Sequence, residues 1–320
     1  MIFRVPIVVK GSDKDTHTIP FAYVYEKTHT PVTNDRILKR IRKLHIPPGY
    51  KDVVISSSEK DKVQAYGFDT KGRKQTIYAK WFIEKQNREK FDRVMKLEKT
   101  MNLLKAHIDR TLKQYISLQN GHPTISQIRK MEMCMIVKLM MLCNFRIGSA
   151  ANATKYKSYG LTTIEWRHVK INKGACDAVR FSFIGKKGVL NEATCQDRKV
   201  YKILSKMHDS VYKDSSNSNR EINRIRERDH ERVFMVSSSD VNSYLQSFDK
   251  NITSKDIRTW QANVLFVKYF LENSDHAKTN EKRQTHALKK VAADLHNTPN
   301  VCKKSYIYPE FLKASLSNGE

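Results

Sequence analysis

Hydrophobic and polar residues change rhythm once along this chain. Through residues 1–85, short apolar runs at 21–25, 52–56, 63–67 and 75–78 alternate with polar positions, the period of half-buried strands. The run Ile46-Pro47-Pro48-Gly49-Tyr50 breaks them with a rigid turn. The polar stretch Asp69-Thr70-Lys71-Gly72, between the last two runs, predicts a β-hairpin. From Trp81 onward the spacing becomes helical, with Phe91, Val94, Met95, Leu97, Met101, Leu103, Leu104 and Ile108 separated by charges. Residues 125–144 predict a second and strongly apolar helix; Glu132, Lys138 and Asn144 interrupt it, so it reads as a core helix and not a membrane span. A short β segment follows at 178–184 with a turn at Gly185-Lys186-Lys187-Gly188. Residues 212–231 are polar and read as a mobile loop, and helices are predicted over 257–271 and 284–295. The expected class is α+β: a small β-rich N-terminal domain over 1–85, then a larger, mainly helical domain over 86–320 with a small β-hairpin near 178–190.

Charge sharpens this picture. Lys and Arg number 59 against 33 Asp and Glu, a formal net charge of +26 with a pI near 9.8. The cations run along the whole chain, which favours a polyanion gripped by the body of the protein over one held by a basic tail. Cys134, Cys143, Cys176, Cys195 and Cys302 form no CxxC pair, so they read as reduced intracellular thiols and not as a disulfide frame or zinc site. The first residues lack the apolar run of a signal peptide. No P-loop, internal repeat or carboxylate cluster is present, so nothing in the sequence asks for ATP, a metal or another cofactor.

Four places could carry chemistry. Arg146 follows the most apolar helix, where a guanidinium suits an anion or caps the last helical carbonyls. Lys186 sits in the turn after the β segment, reaching into a groove or simply into solvent. Arg258 opens an apolar helix, where it could serve chemistry or form a surface pair with Asp256. Near the C-terminus a helix stops at Asn297-Thr298-Pro299, and a basic segment with Tyr306 and Tyr308 begins. Two positions apart on an extended segment, those tyrosines would point the same way.

The order of these residues resembles the type IB DNA topoisomerases, most closely their compact poxvirus, giant-virus and bacterial forms. The resemblance starts at residues 46–50 and at Lys71-Gly72-Arg73-Lys74-Gln75 with Tyr78. It continues through Lys90-Phe91-Asp92-Arg93, Phe145-Arg146-Ile147-Gly148, Phe183-Ile184-Gly185-Lys186 and residues 255–260. It closes with Asn297-Thr298-Pro299 and Ser305-Tyr306-Ile307-Tyr308-Pro309.

The resemblance implies a clamp domain at the N-terminus, a catalytic domain after it, and an enzyme that relaxes supercoiled duplex DNA. Tyr306 would be the nucleophile that forms a 3′-phosphotyrosyl intermediate. Arg146 and Arg258 would hold the charged phosphate, Arg146 also assisting proton transfer, and Lys186 would protonate the departing 5′ oxygen. In the poxvirus form a histidine stands nine residues before the nucleophile. Here that position is Asn297, as in the bacterial form, with the adjacent His296 as the fallback. Tyr308 falls at a variable place of the pattern and would be a packing or rim residue. Lys71, Arg73, Lys74, Gln75 and Tyr78 would face DNA, cations toward phosphates and Gln and Tyr toward base edges. Thr76 stands where the poxvirus pattern has a second tyrosine, so no cleavage-site preference carries over. The family works as an intracellular, DNA-associated monomer with no obligate protein partner, membrane, ATP or required metal.

Two other functions fit parts of the pattern. A tyrosine recombinase shares the Arg, Lys, Arg and Tyr set but usually has a histidine three residues before the second arginine, where this chain has Lys255. A non-catalytic DNA-binding protein would have lost one of the reacting residues.

Overall fold

The computed structural model describes residues 1–7, 21–118, 123–174, 176–212, 230–272 and 279–317. Most of the polar stretch at 212–231 lies outside the described residues. The chain divides into two compact units, Met1–Glu89 and Lys90–Glu320.

The first unit is a five-stranded antiparallel sheet with one helix. Strands β1 (Ile2–Pro6), β2 (Phe21–Tyr25), β3 (Lys51–Ile55), β4 (Val63–Phe68) and β5 (Lys74–Tyr78) are ordered β2-β1-β3-β4-β5. Alternation puts Ile2, Val53, Ile55, Ala65 and Ile77 on one face, where they pack against Ile37, Leu38 and Ile41 of helix α1 (Asp35–Lys43). The hydrophobic runs mark four of the strands. Strand β1 and helix α1 escape that pattern, because α1 spaces three apolar residues among five cations and its Asn34 cap is its clearest signal. The Pro-Pro turn is anchored from β1, where the Arg4 guanidinium donates to the Pro47, Pro48 and Tyr50 carbonyls.

In the second unit the single helical run predicted from Phe91 onward resolves into α2 (Lys80–Met95), which begins in the first unit, and α3 (Glu98–Ser117). Helix α4 (Ile125–Cys143) is buried on nearly every side, with Met131, Cys134, Met135, Ile136, Val137, Leu139, Met140 and Cys143 in the core. A helix apolar all round belongs at the centre of its domain. Its one buried carboxylate, Glu132 at 3 % exposure, accepts from the backbone N–H groups of Met235 and Val236. Helix α5 (Ala150–Tyr156) leads to a three-stranded meander of β6 (Val169–Asn172), β7 (Ala178–Ile184) and β8 (Leu190–Cys195). Helices α6 (Arg198–Tyr212), α7 (Ser238–Gln246) and α8 (Ser254–Glu272) complete the larger core.

A second core forms where Ala262 and Phe266 of α8 meet Ala287, Leu288, Val291 and Ala292 of α9 (Asn280–Asp294), together with Cys302 and Ile307. Short helices α10 (Pro299–Ser305) and α11 (Pro309–Ser317) follow. Thr298 caps α10 and Pro299 occupies its first turn, the favoured arrangement for starting a helix. The C-terminal tyrosines therefore do not share one extended segment. Tyr306 ends α10 and Tyr308 directly precedes α11, because the Thr-Pro start and the second proline set two helices end to end. Among the described residues no helix is long and apolar enough to cross a membrane.

Candidate active site

Helix α4 ends with Asn144 in the left-handed conformation at φ 53°, which turns the chain sharply and sends Phe145 into the core. Phe145 packs edge-on against Phe181 and Phe183 of β7. Arg146 emerges next, on a segment pinned by two backbone bonds, Leu161 N–H to Arg146 O at 3.0 Å and Thr162 N–H to Ile147 O at 2.8 Å. Gly148 and Gly160 touch there backbone to backbone. A Cβ on Gly160 would fall 2.5 Å from Gly148 Cα, so neither position has room for a side chain.

Arg258 is 5 % exposed, in the second turn of α8. Its two terminal nitrogens donate to the Asn144 and Leu295 carbonyls, tying the end of α4 to the end of α9. Its Nε is buried without a partner. Burial, then the nearby Arg146 charge, pull its pKa down to about 10, which leaves the guanidinium charged at neutral pH. Among the described residues Arg258 and Asp256 form no ion pair, so the alternative reading of a surface pair is not the one realised. Asp256, 2 % exposed, instead binds Arg93 at 2.8 Å and closes the start of α8 through Thr253 Oγ1 at 2.6 Å.

Asn297 lies between α9 and α10, where its Oδ1 accepts from Arg146 at 3.0 Å. Guanidinium can only donate, so the amide orientation is fixed, and Asn297 Nδ2 is left as a buried donor without a partner. Tyr306 faces Arg258, whose guanidinium carbon lies 5.5 Å from the ring centroid. Burial would raise the phenol's pKa, but the Arg258 and Arg146 charges, with hydrogen bonds from both, outweigh it and hold the group below 10. Four of the five residues expected to react thus converge: Tyr306, Arg146, Arg258 and Asn297. The fifth, Lys186, is exposed on the turn between β7 and β8, and among the described residues no hydrogen bond or ion pair joins it to the other four. Such a pocket, with two fixed cations, an amide donor and a phenol, can accommodate a tetrahedral oxyanion beside an oxygen nucleophile.

Several known proteins are similar to this chain over most of its length. Residues 79–314 match the family model described as eukaryotic DNA topoisomerase I, catalytic core, and residues 20–69 match that of the bacterial DNA topoisomerase IB N-terminal domain. The chain is 30% identical to a DNA topoisomerase 1B of Acanthamoeba polyphaga mimivirus, over 98% of this chain and 90% of the relative. It is 23% identical to the DNA topoisomerase 1B of Vaccinia virus (strain Copenhagen), over 88% of this chain and 83% of the relative. The chain belongs to the type IB DNA topoisomerases.

Two side chains that grip the backbone around Tyr306 give no sign of that part in the sequence. Asn263, 5 % exposed, donates to the Tyr306 carbonyl at 2.9 Å and accepts from the Tyr308 N–H at 2.8 Å, gripping the chain on both sides of Ile307. Lys90 Nζ donates to the Ser305 carbonyl at 2.8 Å; burial, then repulsion by Lys255, lowers its pKa to about 8. Arg93 holds Asp256 as described. Tyr308 packs its ring between Phe91 and Phe311, each with a centroid separation of 5.5 Å.

The residues expected to face DNA from the first unit lie on the hairpin of β4 and β5. Lys71, Lys74 and Tyr78 are exposed, and Lys74 Nζ sits 4.0 Å from the Tyr66 ring centroid. Arg73 and Gln75 are held by a single carboxylate: Asp69 binds Arg73 NH2 at 2.6 Å and Gln75 Nε2 at 3.0 Å. Those bonds, Arg73 foremost, hold the Asp69 carboxyl well below the usual carboxylate range. Among the described residues no group of three or more His, Cys, Asp or Glu could hold a metal ion.

Proposed function

We propose that this chain relaxes supercoiled duplex DNA by cutting one strand with Tyr306, holding the end as a 3′-phosphotyrosyl ester and resealing it, without ATP or a required metal. The observation that carries this reading is the pocket in which Tyr306 meets Arg146, Arg258 and Asn297 while Arg258 Nε and Asn297 Nδ2 remain buried and unpartnered. Buried donors without acceptors are costly, and a phosphate oxygen would satisfy both.

The Tyr306 oxygen attacks the phosphorus, and negative charge builds on the non-bridging oxygens of a pentacoordinate phosphorane. Arg146 and Arg258 offset that charge and Asn297 donates to one oxygen; losing one such donor typically slows a reaction by about 10²–10³-fold. Lys186 gives its proton to the departing 5′ oxygen, a transfer that an arginine does not make at neutral pH. An exposed turn lysine can make that approach once DNA lies against it. As the Tyr306 oxygen bonds to phosphorus its proton passes to solvent water, a loss that the lowered phenol pKa eases. One phosphoester replaces another, so bond energy is conserved in the covalent complex. Torsional strain then turns the free 5′ end about the intact strand, and its hydroxyl displaces Tyr306 in the reverse reaction. In this reading Lys71, Arg73, Lys74, Gln75 and Tyr78 contact the duplex, and the protein works as an intracellular monomer.

The test is relaxation of supercoiled plasmid in EDTA without ATP. Wild type is expected to relax it, and Tyr306→Phe to bind duplex without relaxing it. Equal relaxation by both proteins would remove Tyr306 from the reaction, and binding without relaxation by both would leave a DNA-binding protein.

A further inference from the structure

The turn that carries Lys186 is exposed, yet it is closed from the core side. Its two ends meet on one carbonyl, where the Gly185 N–H donates to Val189 O at 2.8 Å. Asn191 Nδ2 donates to the same oxygen, also at 2.8 Å. A carbonyl has two lone pairs, and both are used here. Within the turn the Gly188 N–H donates to Gly185 O at 3.2 Å, and Lys187 and Gly188 take left-handed backbones at φ 65° and 75°. Asn191 is 2 % exposed, and a Cβ on Gly185 would fall 2.3 Å from its Nδ2. The amide therefore lies over Gly185, in space that any side chain there would take.

Below the turn, the same strands lead to the segment that carries Arg146. Asn191 stands opposite Phe183 in the register of β7 and β8, and Phe183 packs on Phe145 with ring centroids 4.9 Å apart. One residue before Gly185, the Ile184 carbonyl accepts from the Tyr159 N–H at 2.8 Å. Tyr159 leads into Gly160, whose backbone touches Gly148, and Leu161 then binds the Arg146 carbonyl. A continuous track of main chain thus joins the base of the lysine turn to Arg146, while Lys186 itself is exposed.

We propose that Asn191 is the positioning residue of the general acid: by bonding Val189 O and covering Gly185 it holds the Lys186 turn in one shape, so that the ammonium meets the departing 5′ oxygen in place. The inference rests on the reading in which Lys186 protonates that oxygen. Asn191 transfers no proton and acts only through the turn. A long lysine side chain already loses rotamer freedom when it docks, and a turn that also wandered would add to that cost. A displacement of about 1 Å is enough to slow a reaction roughly 10²-fold.

The test separates proton delivery from the other steps. Asn191→Leu keeps the branched outline of the side chain and removes the donor, and Asn191→Ala removes both. Single-turnover cleavage is measured on a duplex with a mapped cleavage site and on one whose bridging 5′ oxygen at that site is replaced by sulfur. A thiol has a pKa of about 8.5, so the sulfur leaves as thiolate with little need of an acid. On ordinary duplex both variants should be slower by about 10–100-fold, as expected of an acid misplaced but not deleted. On the sulfur duplex they should cleave at the wild-type rate. Gly185→Ala, which leaves Asn191 intact but pushes its amide aside, should show the same pair of results. Lys186→Ala, run beside them, should also recover on sulfur. Slowing of the Asn191 variants on both duplexes alike, as a loosened fold would give, or on neither, overturns the proposal while leaving a recovering Lys186→Ala untouched. Failure of Lys186→Ala to recover removes the general-acid reading, and the role of Asn191 falls with it.

Discussion

At the scale of single residues, Asn263 shows how the Tyr306 backbone is held. It grips the chain at the Tyr306 carbonyl and the Tyr308 N–H and anchors to its own helix at Thr259 O. Asn263→Ala removes these bonds at about 1 kcal/mol each. Covalent-complex formation should fall at least tenfold while duplex binding persists, with the melting temperature lower by a few degrees. Undiminished cleavage would show that Tyr306 is positioned by packing alone. Tyr306, Arg146, Arg258 and Asn297 are legible in the sequence, because the proposed chemistry belongs to their side chains and their order is distinctive. Asn263 and Lys90 are not, because what they hold is main chain, and a carbonyl leaves no letter behind. Asp256 misleads for a related reason: Arg258 is beside it in sequence, whereas its partner Arg93 is beside it in space.

Among elements, the contact between Gly148 and Gly160 decides where Arg146 stands. A Cβ on Gly160 would also come within 2.8 Å of the Arg146 carbonyl, so the two segments must separate to admit it. Gly160→Ala should therefore destabilise the second unit by about 1–3 kcal/mol. It should slow cleavage more than it weakens duplex binding, which a single-turnover assay beside a binding titration would reveal; equal effects would argue that the close approach serves stability alone. Period-two runs make most strands legible, and the apolar run at 125–144 makes the central helix legible. Helix α1 is hidden by its cations, and the break at Lys96-Leu97 by apolar spacing that continues across it. The extended reading of the tyrosine segment fails because Pro299 and Pro309 act as helix starters there.

For the whole molecule, a net charge of +26 makes ionic strength the main external control. If the body of the protein contacts six to ten phosphates, duplex affinity should drop by about 10³–10⁵-fold between 50 and 200 mM salt. A binding series with the Tyr306→Phe protein would measure this without interference from cleavage, and a shallow slope would mean that most of the charge faces away from DNA. Asp69 bears on the same balance. With Arg73 and Gln75 already engaged by its carboxylate, a phosphate arriving at the hairpin meets an occupied host. Contact there is an exchange of anions and not a simple gain of one, so the hairpin yields less net attraction than its count of cations suggests. In the proposed cycle, which ends with DNA released after resealing, an internal competitor of that kind would work as a brake on overstaying.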